Sequence, residues 1–499
     1  MELSELLEEL RKVEKKLDLK FSLANSYFHF SKLTLDNCKY YITKQKRRNI
    51  LQLVFSVFLT LVKVLLNIFI SFSFRLISSK SGVSRLASTE SMHGGYLFIS
   101  HHNRVHTNDN NSDQFFGNIP SELTEQNKIV NIYLLNHTKE SSQKILEQYP
   151  SNTINLIRHV NPRGVSLRNN VYVHRIVLND CIKVLFQIFS SKEDDYRQKL
   201  LKVQAISKHA HRSTLSTIFL GFSISKLANQ IKPKRVVMTL EGHAHELFLK
   251  TELGRNFPNL EFYFYQHAPI VPDQHGLWQT IQKLSQKDHI LTSGEFVMSY
   301  LKLKVPELQA SIAVLGSSRS HSPYLYKARL EPDSHFTILI APEAFASQVN
   351  HFISIAIFLS KQFPDCTIRF RLHPATGNLA KFQRKITALK VGNIICSFAP
   401  LREDLLQANV CIYQSSSVAL EGLFFGVLPV HYSFLAGINL DPLSPMLDDH
   451  FHCDSELQLS KVLGQVIKSE RDISGSVQVN FASNAEMYFS PLTLNAIQD

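Results

Sequence analysis

The chain of 499 residues is poor in cysteine: six are present, at Cys38, Cys181, Cys366, Cys396, Cys411 and Cys453, far apart and with no CxxC among them. That spacing argues against a disulfide scaffold and a cysteine-ligated metal framework, and predicts reduced thiols in a cytosolic compartment, mostly as core filling. No HExxH run and no carboxylate-rich ligand spacing is present either, so no metal site is expected. There is no internal repeat and no low-complexity tract. The first ten residues are acidic and helical in pattern, whereas a secretory leader is basic and then apolar, so no signal peptide is expected.

What is present is the composition of an ordinary globular protein, 44% hydrophobic and 19% charged, which excludes disorder on a large scale. The length suits two or three domains, each with its own core. A formal net charge of +12 suits an anionic partner: a membrane surface, a nucleic acid or a phosphorylated substrate.

Residues 1–90 read as a helical region. Leu6, Leu7, Leu10, Val13 and Leu17 recur at helical spacing, the mark of a packing helix. Lys44, Lys46, Arg47 and Arg48 then precede a stretch, 51–74, that is long enough to cross a bilayer. Gln52, Ser56, Thr60, Lys63, Asn67 and Ser71 give that stretch one narrow polar stripe, which favours a helix lying in the membrane interface or against the protein. The cations favour anionic lipid on the cytoplasmic side, and a solvated basic turn is the plainer reading of them.

From about residue 91 strands alternate with helical patterns, which argues for a parallel, doubly wound sheet. Strands are expected at 95–100, 129–135, 235–240, 260–265, 289–292 and 311–315, with long helices between 171 and 229. A second α/β domain, 331–450, is expected to carry strands at 336–341, 367–372, 393–397, 409–414 and 427–432. A helical tail, 451–499, would follow.

Two sets of residues stand at expected strand ends, where open parallel sheets bind ligands. In the second domain one strand stops at His373 and Pro374 and another at Ser415, Ser416 and Ser417, with Glu421 one helical turn further on. The imidazole and hydroxyls suit a phosphate, and a carboxylate at 421 can accept two bonds from ribose hydroxyls. Arg369 and Arg371 share a strand face and offer a cation to phosphate. The plain alternatives are a turn at the His-Pro pair and simple helix caps at the serines. In the first domain Glu241 and His267 end neighbouring strands, and either could take a proton from an acceptor hydroxyl. Between the domains a turn carrying Arg319 could add a further cation to the donor phosphates, or be a plain linker.

The order Arg371, Leu372, His373, Pro374, then Ser415, Ser416, Ser417 with Glu421 and Gly422 resembles the C-terminal domain of GT-B glycosyltransferases of bacterial surface carbohydrate biosynthesis that carry HP and serine motifs. Polysialyltransferases and Kdo or glycerophosphate transferases are the nearest of these. Segments at 98–100, 116–120, 240–242, 265–267 and 315–316 are similar to the same group, and the resemblance covers roughly 94–435.

It implies a fold of class α/β, GT-B-like, with two Rossmann-like domains facing across a cleft behind an N-terminal helical extension. It further implies a nucleotide-sugar donor on His373, Ser415, Ser416 and Ser417, an acceptor on the first domain, and no cofactor or metal requirement. An acidic pair before glycine often carries the base in such enzymes. Here only Glu241 precedes Gly242, with Leu240 in the other place, so Glu241 and His267 both stand as the base.

The expected activity is transfer of a sugar, CMP-linked donors included, to a surface glycan or lipid-linked acceptor, as in lipopolysaccharide or capsule synthesis. The expected location is cytoplasmic, peripheral on the inner membrane, with no nucleic-acid partner. A glycerophosphotransferase or a nucleotide-sugar epimerase of the same fold would share the donor half. A non-catalytic membrane-associated binding protein is the reading from a different class.

Overall fold

The computed structural model describes residues 12–13, 17, 57–70 and most of 94–497, leaving out 103–111, 149–154, 161–166, 321–334, 434–438, 470–482 and a few single positions between them. Two wholly parallel sheets organise it. The first has the order β3-β2-β1-β4-β5-β6-β7, from β1 (Tyr96–His102), β2 (Val130–Asn136), β3 (Leu156–Val160), β4 (Arg235–Thr239), β5 (Glu261–Gln266), β6 (Asp288–Thr292) and β7 (Ser311–Val314). The second has the order β10-β9-β8-β11-β12-β13, from β8 (Thr337–Ile340), β9 (Thr367–Phe370), β10 (Ile394–Cys396), β11 (Val410–Tyr413), β12 (Leu428–Tyr432) and β13 (Phe451–Cys453). These are two Rossmann-like α/β domains in tandem. In each sheet the strand order reverses once, between β1 and β4 and between β8 and β11.

The strands are near-continuous apolar runs because both faces of a parallel sheet are covered. In β1, Phe98 faces one cluster and Leu97 and Ile99 the opposite one. In β8, Ile338 and Ile340 face a cluster confined to the second domain, whereas Leu339 joins the cluster that holds Leu97 and Ile99. One core therefore runs through both domains.

The chain's last described segment closes that core. Tyr488 and Phe489 are fully buried, Tyr488 stacking on Phe296 of the first domain and Phe489 on Phe424 of the second. Beyond them Ser490 accepts from Ser317 N–H at 2.7 Å, and the Ile497 carbonyl accepts from Arg235 at 2.9 Å. At Gly316, with φ +88°, a Cβ would sit 2.0 Å from the Pro491 carbonyl oxygen, so only glycine lets the returning chain this close.

All eleven expected strands fall where the sequence puts them. Two further strands were not expected: β3 and β13 are edge strands, short and interrupted by Arg158, His159 and His452, so neither shows an apolar run. The domain boundaries move with them. β13 pairs with β12, and the helix Glu456–Ser469 packs Leu459, Leu463 and Val466 into the second core, so the second domain continues past 450. Residues 483–497 then return to the first domain instead of forming a separate helical tail.

Of the N-terminal region, 57–70 is helical and packs with Val13 and Leu17 against the helix Leu167–Ser190. Of the polar stripe, Thr60 is buried with Val57 and Val64, Asn67 is half-buried and Lys63 is exposed; Gln52, Ser56 and Ser71 lie outside the described residues. Phe58, Leu59, Val62, Leu65, Leu66 and Phe69 point out, Phe69 with 68% of its surface exposed. Phe186 (73%) and Phe189 (57%) of the neighbouring helix are outward as well. Among the described residues no helix is long and apolar enough to cross a membrane. The cations at 44–48 lie outside the described residues.

Candidate active site

In open α/β sheets ligands bind outside the carboxyl ends of strands where the order reverses. Both reversal points here carry polar clusters. In the first domain β1 ends in His101 and β4 in Thr239, whose Oγ1 lies 3.1 Å from His101 Nε2. His101 Nδ1 is 2.8 Å from Nε2 of His137, just past β2. Burial, reinforced by His137, pushes His101 down to about 3, so the ring is neutral.

Glu241 follows β4 and His267 follows β5, and the structure brings them together: His267 Nε2 lies 2.8 Å from Glu241 Oε1. The other oxygen, Oε2, lies 3.4 Å from His243 Nε2. Burial opposes the charge on Glu241, but the field of His267 and the bonds from both rings hold the carboxyl well below its usual range. Burial likewise works against charge on His243, and the bond to Glu241 overrides it, lifting the imidazole to about 9. His245 stacks on His243, with ring centroids 5.6 Å apart, and is kept neutral by burial and by the His243 charge. Phe115 lies 4.5 Å from the His267 ring. Glu241 is thus an anion with an imidazole on each oxygen, and its side chain is 29% exposed.

The loop that presents Glu241 is fixed from behind. Buried Glu246 accepts the backbone N–H groups of Glu241, Gly242 and His243 at 2.7, 2.9 and 3.1 Å. Burial raises Glu246 to about 7 against those bonds. Gly242 has φ +78°, and a Cβ there would sit 2.1 Å from Leu277 N.

In the second domain the reversal point lies between Glu343, just past β8, and Ser415, just past β11. The Ser415 hydroxyl donates to Glu343 Oε1 at 3.1 Å. His373 follows β9 on the other side of β8. Burial lowers its basicity, Glu343 acts to raise it, and Arg319 and Arg371 lower it further, which puts all of these in one electrostatic neighbourhood. Ser416 Oγ accepts the Val418 N–H at 3.4 Å, a cap contact, and Ser417 stands at the start of the helix Val418–Phe424. Arg319 reaches in from beyond β7 of the first domain, its Nε 4.0 Å from Glu421 Oε1. Its Nη1 is buried and has no hydrogen-bond partner among the described residues.

Arg371 is a correction. Its Nη1 donates to Asp404 Oδ2 at 2.6 Å and to the Ala399 carbonyl at 2.7 Å. Arg369 pairs with the same fully buried Asp404 at 3.2 Å. The two guanidinia share that carboxylate and brace the second sheet against the helix Leu401–Gln407, and Arg319 is a further cation beside His373.

Glu343, His101 and His137 were not singled out from sequence. Each follows a strand that was recognised, so the strand-end rule that found His373 would have found Glu343 and His101 as well.

No known protein family matches the chain, and no curated protein matches it. Solved structures do. A UDP-GlcNAc 2-epimerase from Neisseria meningitidis bound to UDP-GlcNAc is 11% identical over 80% of this chain and 96% of that one, with a TM-score of 0.46. A glycosyltransferase from Rickettsia africae is 11% identical over 81% and 95%, with a TM-score of 0.42. A pneumococcal O-GlcNAc transferase, GtfA, is 13% identical over 54% of this chain, which spans 57% of that structure, with a TM-score of 0.38.

Proposed function

We propose that the chain is a glycosyltransferase: the second domain holds a nucleotide-activated sugar and the first presents an acceptor hydroxyl. The observation that carries this is the pair of strand-order reversals, one bearing an acid–base cluster and the other an arginine, imidazole and hydroxyl pocket. In the reaction the acceptor oxygen forms a bond to the anomeric carbon while the bond from that carbon to the donor phosphate breaks. The hydroxyl proton passes to the Glu241–His267 pair, where Glu241 supplies the negative charge and His267 shares the proton. The phosphate leaves with the bonding electrons, and Arg319 and His373, with Ser416 and Ser417, take up the charge that grows on it. Glu421, beside Arg319, holds the ribose.

Peripheral attachment to the cytoplasmic face of the inner membrane belongs to the same proposal, with a lipid-linked or surface-glycan acceptor. It is supported by the outward apolar faces of 57–70 and of the helix Leu167–Ser190, together with the basic sequence at 44–48.

The test is a panel of CMP-, UDP- and GDP-sugars with a lipid-extract acceptor, reading release of free nucleotide and labelled product. One donor should be consumed in an acceptor-dependent way, and His373→Ala should abolish that while the protein stays folded. Donor conversion with no acceptor present would identify an epimerase, and full activity of folded His373→Ala would remove the phosphate role.

A further inference from the structure

The ends of β12 and β13 carry a polar cluster that the proposed reaction does not use. His431 Nδ1 lies 2.7 Å from His452 Nδ1 and 4.0 Å from Asp441 Oδ2. His450 Nε2 is in hydrogen-bond contact with the same Asp441 Oδ2. His431 and Asp441 are buried and His452 is exposed.

Further contacts orient these side chains. His431 Nε2 faces the Gln414 carbonyl at 2.8 Å, and His450 Nδ1 faces the Leu447 carbonyl at 3.1 Å. A carbonyl only accepts, so each ring carries its proton on that side. When its ring is neutral, a lone pair is left on His431 Nδ1, whereas His450 Nε2 turns an N–H to Asp441. Metal-binding histidines are oriented in this way, by giving their other N–H to a carbonyl or carboxylate. Asp441 is prepared in the same sense: Tyr413 OH and the Leu443 N–H both bond Oδ1, each at 2.9 Å, which turns Oδ2 toward the histidines.

We infer that His431, His452 and Asp441 form a site for a divalent cation of the zinc class. Two imidazoles and one carboxylate, with water in the fourth position, suit zinc in tetrahedral geometry. With bonds of about 2.0 Å the ligand atoms would sit about 3.3 Å apart. The two Nδ1 atoms then need only a small separation, which the exposed His452 ring can supply.

The site would join three segments. His431 bonds the carbonyl of Gln414, the residue before the serine turn. Asp441 belongs to a strap whose Asn439 exchanges hydrogen bonds with Asp273 of the first domain, and His452 lies in β13. A cation there would tie the strap that contacts the first domain to the sheet that carries the donor pocket.

The experiment uses the full chain without a polyhistidine tag, stripped with chelator and titrated with zinc chloride. Bound zinc is counted by elemental analysis, and melting is followed in parallel. The wild type should take up one zinc and melt roughly 3 °C higher at a hundredfold excess over the dissociation constant. His452→Ala, at an exposed position, should keep the metal-free melting temperature and lose most of the zinc-induced rise. No zinc uptake by the wild type would overturn the inference. Undiminished uptake by His452→Ala would overturn it too, because the zinc would then be held elsewhere.

Discussion

The charge state of the Glu241 cluster makes a quantitative prediction for Glu241→Gln. In the folded wild type His243 is lifted to about 9 from an ordinary 6.5. Because its folded value is raised, the stabilisation is fully present below about 6.5 and is lost as the pH rises through about 9. The gap of about 2.5 pH units corresponds formally to about 3 kcal/mol. The His243 side chain is 44% exposed, however, and solvent screening reduces such a pair to about 1 kcal/mol. Glutamine keeps the shape and can still accept from the ring, but it removes the charge, so this slope should vanish. Thermal unfolding of both proteins between pH 6 and 10 is the assay. The wild type should lose about 1 °C relative to the variant across that range. Glu241 itself acts in the opposite sense: its value is depressed, so its contribution is present above about 4.5 and is lost as the pH falls through the folded value. If the two melting profiles run parallel from pH 6 to 10, Glu241 does not hold His243 as an imidazolium, and the proposed anion between two imidazoles is wrong.

Gly242→Ala should destabilise by about 2–4 kcal/mol, from the left-handed backbone together with a Cβ forced onto Leu277 N. Melting temperature checks this, and turnover should fall with it because Glu241 and His243 move. Asp404→Ala should cost about 3–5 kcal/mol in urea unfolding by leaving Arg369 and Arg371 without their carboxylate, while Asp404→Asn should cost less. Replacing Phe69 and Phe186 by Asp should weaken binding to anionic vesicles at least tenfold in sedimentation, since each phenyl ring contributes about 2 kcal/mol when buried in lipid; undiminished binding would place the membrane contact elsewhere.

The central strands were legible because parallel strands covered on both faces are written as unbroken apolar runs, as in Tyr96 to Ile99 and Val410 to Tyr413. Edge strands are covered less fully, and β3 and β13 carry no such signal. Strand ends were legible too, which is why Glu241 and His267 were paired. What lies between strand ends is set by sheet order, and sequence order does not give it. Ser415 meets Glu343 because β11 lies against β8, and His101 meets Thr239 because β1 lies against β4. The same limit explains Arg371: alternation in β9 put it correctly on the face it shares with Arg369, but the buried Asp404 that claims both comes from a helix beyond β10. From its polar stripe the helix at 57–70 is expected to lie in the membrane interface or against the protein; Thr60 of that stripe packs inward, Lys63 is exposed, and Phe58, Leu65, Leu66 and Phe69 are left outside.

Calorimetric titration of CMP, UDP and GDP into the wild type, Arg319→Met and His373→Ala tests the donor pocket most directly. Arg319 has a buried Nη1 with no partner among the described residues, and a charged hydrogen bond of about 1.5–3 kcal/mol to phosphate would use it. One nucleotide should bind the wild type, with affinity lowered roughly tenfold or more in Arg319→Met. Binding of none of the three, or equal affinity in the wild type and both folded variants, would contradict the account.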